Sequence, residues 1–251
     1  MIFNNFKKVL EQNDCNKNDI VLIHTDISKI NGKSWIDKCK KLNYFLNLYF
    51  NKESTLIFPA FTYSFCKTGL FNKKTTPSEV GIFDEYIRTK KNYQRSDHPI
   101  FSFSCKGKFK DLFLNNSNSA SGGGSVFEKL YTFDAKMLFL GCRFLTSSTF
   151  LHFVEQMNMV PYRYSKIFFP KSKMKYSYYE YYVNSIEKYN FYERKKKLKI
   201  EKDLIKNKIL KNNKINNFEI SICNTRDIFD FVSKKIKKNP YYIIGKKPFI
   251  N

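Results

Sequence analysis

Short apolar strands alternate with amphipathic helices along much of the chain, and this alternation restricts the possible fold more than any other feature. Residues 20–23, 55–58 and 137–140 are compact apolar runs with the length of buried strands. Over residues 35–50, apolar side chains recur every three or four positions, which is the period of a helix with one buried face. The repeated order of strand, turn and helix predicts an α/β fold.

Two segments carry the start signal of a helix. Residues 76–79, Thr-Pro-Ser-Glu, place a capping hydroxyl, a first-turn proline and a Glu three residues on, which predicts a helix ending near Lys90. Ser125 and Glu128 repeat the cap directly after residues 115–125, a run rich in Asn, Ser and Gly. Such a run could link two domains, but a loop leading into a helix N-terminus explains its glycines equally well.

The C-terminal third is harder to interpret. Residues 176–217 are rich in aromatic and Lys residues, with poor periodicity, and predict weak strands followed by a charged helix. Residues 219–223 then alternate as a strand, and Thr225 is predicted to cap a helix with acidic residues early and lysines late, which suits the helix dipole. The sequence therefore predicts one domain, residues 1–251.

The net charge of +23, from 45 Lys and Arg against 22 Asp and Glu, allows three explanations. The first is that the Lys and Arg side chains neutralise the phosphates of a nucleic acid, so that the chain is a nucleic-acid-binding protein. A basic cleft for small polyanions is the second explanation. The third is a strongly A+T-rich genome that fills surface positions with Lys, as the many Asn, Ile, Phe and Tyr residues suggest. Net charge alone does not choose among them.

Several classes of protein are excluded by simple patterns. No uncharged apolar run approaches the roughly 20 residues that cross a bilayer, so no membrane span is expected. The first ten residues lack the apolar core and cleavage site of a secretory signal, so a cytoplasmic location is expected. The six cysteines include no C-x-x-C pair, so we expect reduced thiols.

The chain has three histidines, His24, His98 and His152, and the third has the most informative neighbours. On a helix, residues three apart share a face, so Thr149, His152 and Glu155 form one polar stripe among apolar residues. One explanation is a buried histidine hydrogen-bonded to its helix neighbours. The other is a general base with a carboxylate partner and a hydroxyl for a developing oxyanion.

Other site chemistries lack their motifs. No second His or Cys lies near His152 at metal-ligand spacing, apart from Cys142 ten residues upstream, so no metal is expected. Residues 122–125, Gly-Gly-Gly-Ser, form neither a nucleophile elbow nor a P-loop, which would end in Lys.

An ordered series of motifs resembles the antibiotic 3-N-acetyltransferase type of aminoglycoside N-acetyltransferases, which use acetyl-CoA. The motifs lie at residues 21–28 (VLIHTDIS), 56–62 (LIFPAFT), 77–88 (PSEVGIFDEYIR), 95–102 (RSDHPIFS), 122–125, 140–141, the stripe at 149–155, 161–163 (PYR) and 226–227. A basic, aromatic-rich segment, 171–217, has no clear counterpart. The resemblance implies one α/β domain with a central mixed sheet, flanking helices and a smaller β-rich region, distinct from the commoner acetyltransferase fold.

The resemblance also implies roles for individual residues. His152 corresponds to the general base, Glu155 to its partner near the acceptor amine and Thr149 to a hydroxyl near the thioester carbonyl. The implied acetyl-CoA contacts are Thr25, Asp26, Ser28, Arg95, Ser96, Ser102 and Phe103, and the implied acceptor contacts are Phe61, Tyr63, Glu155 and Arg163. The family more often has Ser at the position of Asp26, and here Asn31 separates Ile30 from the following glycine.

Two acceptors are compatible with this chemistry: a free aminoglycoside, or an amino sugar still attached to a nucleotide diphosphate. A polycationic drug favours an acidic cleft, whereas this chain is strongly basic. We therefore expect the nucleotide-linked amino sugar, in surface-polysaccharide synthesis, with the aminoglycoside as the alternative and a nucleic-acid-binding module as a remote one. The expected partners are CoA and a small acceptor, with no nucleic acid or membrane, for a monomer or homodimer.

Overall fold

A computed structural model describes residues 2–17, 19–184 and 194–244. Its strands are β1 (Ile20–Thr25), β2 (Thr55–Pro59), β3 (Gln94–Arg95), β4 (Phe103–Gly107), β5 (Lys136–Leu140), β6 (Arg163–Phe168), β7 (Tyr179–Asn184), β8 (Lys211–Ile215) and β9 (Phe218–Asn224). Its helices are α1 (Ile2–Gln12), α2 (Trp35–Tyr49), α3 (Phe65–Thr68), α4 (Ile82–Arg88), α5 (Lys110–Leu114), α6 (Val126–Thr132), α7 (Phe144–Ser147), α8 (Phe150–Met157), α9 (Arg194–Lys206) and α10 (Thr225–Lys238), with a 3-10 turn at Ile27–Lys29.

The strands form a mixed central sheet and a smaller separate one. Seven strands lie in the order β3-β4-β2-β1-β5-β9-β8, with β1 parallel to both β2 and β5 and the remaining pairs antiparallel. The second sheet is the antiparallel pair β6-β7. The predicted α/β fold with a mixed central sheet and flanking helices is confirmed. Part of the segment 171–217 forms β7, α9 and β8, and its residues 185–193 lie outside the described part.

The three central strands β1, β2 and β5 are buried on both faces, which explains their nearly continuous apolar sequences. Along β1, Val21 and Ile23 pack in one hydrophobic cluster with α1, α2 and α4, whereas Leu22 packs in the other. That second cluster contains α6, α8 and α10. Because successive side chains point to opposite faces, every residue of such a strand must be apolar. No helix of the described residues is both long and apolar enough to span a membrane.

The capping box predicted at residues 76–79 does not form. Helix α4 begins only after Gly81, because Glu79 is held elsewhere. Its backbone N–H donates to the carbonyl of Phe61, and its carboxylate accepts hydrogen bonds from the N–H and hydroxyl of Ser64. The N–H of Ser78 donates instead to Glu85 at 2.7 Å. A contact across the loop after β2 therefore competes successfully with the local cap.

The other two predicted helix starts are partly correct. The Ser125 hydroxyl accepts the N–H of Glu128 at the start of α6, as predicted, while the Glu128 carboxylate accepts the N–H of Gly124. Thr225 is the first residue of α10 and not its cap. Its hydroxyl donates to the carbonyl of Leu130 at 2.8 Å, which ties α10 to α6.

Gly141 lets the ends of β1 and β5 approach each other. Its φ of +75° lies in the left-handed region, and an added Cβ would lie 2.2 Å from the carbonyl oxygen of Asp26. In the same place, the N–H of Asp26 donates to the carbonyl of Leu140 at 2.7 Å. This approach therefore sets the position of the turn that follows β1.

We expect Gly141→Ala to lower the free energy of unfolding by roughly 2–4 kcal/mol, since left-handed strain of about 1–2 kcal/mol adds to the overlap with Asp26. Urea unfolding measures the change. Gly123→Ala is the matched control, because nothing lies within 4 Å of its added Cβ, and it should stay within about 0.5 kcal/mol. Equal stabilities for the two variants would contradict this account of Gly141.

Candidate active site

Helix α8 carries the polar stripe predicted from the sequence. Its apolar residues Phe150, Phe153 and Val154 are buried in the core and fix the helix on the sheet. The helix then places His152 and Glu155 at different depths: the His152 side chain is 23% exposed, whereas that of Glu155 is 2% exposed. The imidazole is therefore open to solvent on one side, and the carboxylate beneath it is not.

The buried Glu155 carboxylate is surrounded by three polar partners. His152 Nδ1 lies 3.1 Å from Glu155 Oε2, and Arg163 Nε forms an ion pair with the same oxygen at 2.7 Å. The hydroxyl of Tyr162 donates to Oε1 at 2.9 Å. Burial acts to raise the pKa of Glu155, but the charge of Arg163 and the hydrogen bonds of His152 and Tyr162 outweigh it and hold that pKa below its ordinary value. Glu155 is therefore an anion at neutral pH.

This contact determines the tautomer of the catalytic candidate. A carboxylate beside Nδ1 favours a proton on that nitrogen, so the lone pair of neutral His152 lies on Nε2. When the ring takes up a proton, Glu155 also stabilises the resulting imidazolium. Burial and the neighbouring Glu155 raise the pKa of Tyr162, which keeps its hydroxyl a neutral donor.

Aromatic rings surround His152. The ring of Phe101 lies parallel to the imidazole, with centroids 6.1 Å apart, and Tyr181 meets it edge to face at 6.5 Å. Tyr63 is 38% exposed and lies 6.0 Å from Phe101, whereas Phe61 is buried behind Phe101 at 4.6 Å. Of the predicted acceptor contacts, Tyr63 is thus partly exposed beside Phe101, and Phe61 is buried against the same ring.

Arg163 and Glu155, also predicted as acceptor contacts, face each other in the interior. The Arg163 side chain is almost fully buried, and its guanidinium pairs with Glu155. Their positions support a structural partnership between the two and not a direct contact with an acceptor. Tyr162 completes this group. It lies within the PYR motif, which by itself does not reveal this contact.

The other two histidines are buried and stay neutral. Burial lowers the pKa of His24 and that of His98 to about 3. His24 stacks on Phe139, with centroids 5.1 Å apart. His98 Nδ1 accepts the backbone N–H groups of Ile100 and Phe101, which fixes the chain beside His152. In the described part of the chain, no group of three or more His, Cys, Asp or Glu side chains is placed to hold a metal ion.

A cleft of about 460 Å³ lies at the ends of β1 and β5, and the predicted CoA contacts Thr25, Asp26 and Ser28 line it. Asp26 accepts the N–H of Ser28 at 2.9 Å, which shapes the turn. The opposite wall includes Thr146 and Ser147, at the end of α7. From there the chain leads directly to Thr149, at the start of the helix that carries the histidine.

Thr149 has an unused hydroxyl near this cleft. Its Oγ1 is buried and has no hydrogen-bond partner among the described residues, and the same holds for Thr25 Oγ1 in the cleft wall. A buried hydroxyl without a partner is costly. Thr25 lines the cleft and Thr149 follows Ser147 of its wall by two residues, and neither hydroxyl is used by the described part of the fold.

The remaining predicted CoA contacts, Arg95, Ser96, Ser102 and Phe103, are buried in the interior. The Arg95 guanidinium donates to Ser102 Oγ, to Thr62 Oγ1 and to the carbonyls of Ala60 and Thr76. The hydroxyl of Ser96 accepts the N–H of Phe103. Their burial does not support a side-chain contact with CoA. They hold the loop after β2 against β3 and β4.

Comparison with known proteins identifies the family of this fold and site. The family model described as aminoglycoside 3-N-acetyltransferase matches residues 22–237. The chain belongs to this family. The predictions of the family and of its acetyltransferase class are therefore confirmed.

Individual relatives agree with this assignment. The SPbeta prophage-derived aminoglycoside N(3′)-acetyltransferase-like protein YokD of Bacillus subtilis (strain 168) is 35% identical over 97 residues, which cover 37% of this chain and 35% of that protein. The structure resembles the aminoglycoside acetyltransferase AAC(3)-IVa apoenzyme with a TM-score of 0.79, at 18% identity, over 98% of this chain and 91% of the other. It also resembles the binary complex of AAC-IIIb with CoASH, with a TM-score of 0.75 at 16% identity, over 94% and 96% of the two chains.

We expect Glu155→Gln to lower the free energy of unfolding of the protein at neutral pH and to have less effect in acid. The folded-state pKa of Glu155 lies below its ordinary 4.5, so its charge contributes stability that is complete above about pH 4.5 and is lost as the pH falls through the folded pKa. The wild type should therefore be more stable than the variant at pH 7, and the difference should narrow on acidification.

Urea unfolding of both proteins at a series of pH values between neutral and acid measures this difference. Glu128→Gln is the matched control. In the described structure the Glu128 carboxylate accepts only the N–H of Gly124, and the residue is partly exposed. A stability difference between wild type and Glu155→Gln that does not change with pH would contradict the ionised state of Glu155.

Proposed function

We propose that this protein transfers the acetyl group of acetyl-CoA to an amino group of an aminoglycoside, with His152 as the general base. The pair of His152 and Glu155 carries this proposal. The imidazole of His152 is partly accessible to solvent, and the buried carboxylate of Glu155 fixes its tautomer. Both residues lie on α8, and the residues just before this helix line a cleft. General bases are commonly built in this way.

The reaction needs a base because an amino group on a sugar is mostly protonated at neutral pH. His152 Nε2 accepts a proton from the ammonium group, and the freed lone pair attacks the thioester carbonyl carbon. The carbon–nitrogen bond forms, the carbon–sulfur bond breaks, and the CoA sulfur leaves as a thiolate. The attacking nitrogen gives up a second proton to become the amide, the thiolate takes up a proton, and the proton that remains on His152 is released to solvent. Glu155 stabilises the imidazolium that exists during this sequence.

Thr149 is suited to stabilise the oxyanion of the tetrahedral intermediate. Its hydroxyl is buried without a partner among the described residues and lies on the same helical face as His152, one turn earlier. A donor that is already desolvated and oriented gains more from a developing charge than it would in water. The cleft lined by Thr25, Asp26 and Ser28 would hold the pantetheine arm and lead the thioester toward this hydroxyl.

The acceptor is an aminoglycoside and not the nucleotide-linked amino sugar expected from net charge. Two further structures similar to this one are AAC(3)-IVa complexes, one with a gentamicin and one with apramycin, each with a TM-score of 0.73. These comparisons support neither a nucleotide-linked acceptor nor polysaccharide synthesis. Tyr63 and Tyr181 would offer their rings to the apolar face of a sugar beside His152.

Replacing His152 by Ala should lower kcat about 10²- to 10⁴-fold, the usual contribution of a positioned acid–base group. A thiol-release assay with acetyl-CoA and a panel of aminoglycosides and nucleotide-linked amino sugars measures both the rate and the acceptor class. Lys237→Ala, on the exposed face of α10, should keep the wild-type rate. A His152→Ala enzyme with full kcat would exclude the base, and turnover confined to nucleotide-linked sugars would exclude the acceptor.

Thr149→Val, which removes the hydroxyl but keeps the shape, should lower kcat roughly 10- to 100-fold with little change in the KM for acetyl-CoA, because the donor acts mainly in the transition state. Thr149→Ser retains the hydroxyl and should recover most of the rate. If both variants were equally impaired, the hydroxyl would not be the group that matters.

A further inference from the structure

A second cleft of about 790 Å³ adjoins the one at the end of β1. The two share Trp35, Val80, Gly81 and Ile82, so they form a continuous depression. Its inner part ends near α7, close to the helix that carries the histidine, and its outer part extends to Tyr86. A long ligand that placed its reactive end at the inner part would have its other end in the outer part.

Trp35 stands at the junction of the two parts. Trp35 lies on the same face of α2 as the buried residues Cys39 and Leu42, but it is in the first turn of the helix. There its side chain is not covered by the core, and it is 53% exposed. Within the described residues, its indole stacks on no other ring and makes no hydrogen bond. The fold therefore presents a large aromatic face to a cleft without using that face for its own packing.

From this arrangement we infer that Trp35 stacks on the adenine of acetyl-CoA, an assignment that rests on the proposed co-substrate. A purine base is the part of CoA that gains most from an aromatic face. With the thioester at the inner end, the pantetheine arm occupies the first cleft and the nucleotide reaches the junction. Val80 and Ile82, both exposed there, add apolar surface around the base.

Lys38, one turn after Trp35 on α2, supplies a cation for the phosphates of a nucleotide. Lys38 lines the first cleft, and its ammonium donates to the carbonyl of Ser28 at 2.8 Å, where it would also meet the pyrophosphate. The outer cleft contains two carboxylates, but Glu85 pairs with Arg88 at 2.6 Å and Glu79 accepts from Ser64. Arg88 therefore compensates the charge of Glu85, whereas Glu79 is held by hydrogen bonds and keeps its charge.

The binding test uses the fact that Trp35 is the single tryptophan of the chain. Selective excitation of indole fluorescence reports on this one site during titration with CoA, adenosine 3′,5′-bisphosphate or pantetheine. We expect saturable quenching by CoA and by the bisphosphate, and none by pantetheine. CoA binding detected by calorimetry without a fluorescence change, or equal quenching by pantetheine, would overturn the inference.

The kinetic test separates the nucleotide from the rest of the co-substrate. Trp35→Ala should raise the KM for acetyl-CoA about 5- to 100-fold, the range expected from losing one base–aromatic stack, with kcat nearly unchanged. The KM for acetyl-pantetheine should not change, and Trp35→Phe should recover part of the loss. Tyr44→Ala is the matched control, because Tyr44 is 68% exposed on the same helix and lies outside both clefts.

The two proposals fail in distinguishable ways. A wild-type enzyme without turnover of acetyl-CoA would overturn the proposed function itself. Normal turnover, with Trp35→Ala either unchanged for both donors or impaired equally for both, would overturn only the stacking role.

Discussion

The buried charge of Glu155 is the constraint on which the site depends. A carboxylate removed from water costs several kcal/mol unless it is paired and hydrogen-bonded. Its partners come from two elements: His152 lies on its own helix, and Arg163 begins β6. The cost is therefore offset only when β6 is docked against α8. The contact between His152 and Glu155 and the docking of the β6-β7 sheet are therefore expected to form together during folding.

A second set of contacts holds the small sheet in this position. Gln156, next to Glu155 on α8, donates to Glu180 of β7 at 3.0 Å and accepts from Ser121 at 2.7 Å. The backbone of Glu180 exchanges hydrogen bonds with Asn118 and Ala120 in the glycine-rich loop. That loop, which resembles a linker in composition, thus joins α8 to the sheet that carries Tyr181.

Local sequence patterns were enough to predict the buried strands and the polar stripe on α8. A strand buried on two faces appears as a run of apolar residues, and residues on one face of a helix appear at a spacing of three. Contacts between distant segments leave no such signal. The sequence could identify Arg163 as a cation but not its pairing with Glu155, and it could not show that carbonyls enclose Arg95. The false cap at residues 76–79 has the same origin, since Ser64 competes for Glu79 from across a loop.

The net charge of +23 favoured a nucleotide-linked acceptor, whereas the proposed acceptor is an aminoglycoside. An enzyme that joins the polyanion CoA to a polycationic amine must bind opposite charges within one site, so no single net charge suits both substrates. What matters is how charge is arranged along the cleft. In the proposed reaction, Lys38 of the first cleft would meet the phosphates of CoA, and Glu155 would stabilise the cation that forms on His152.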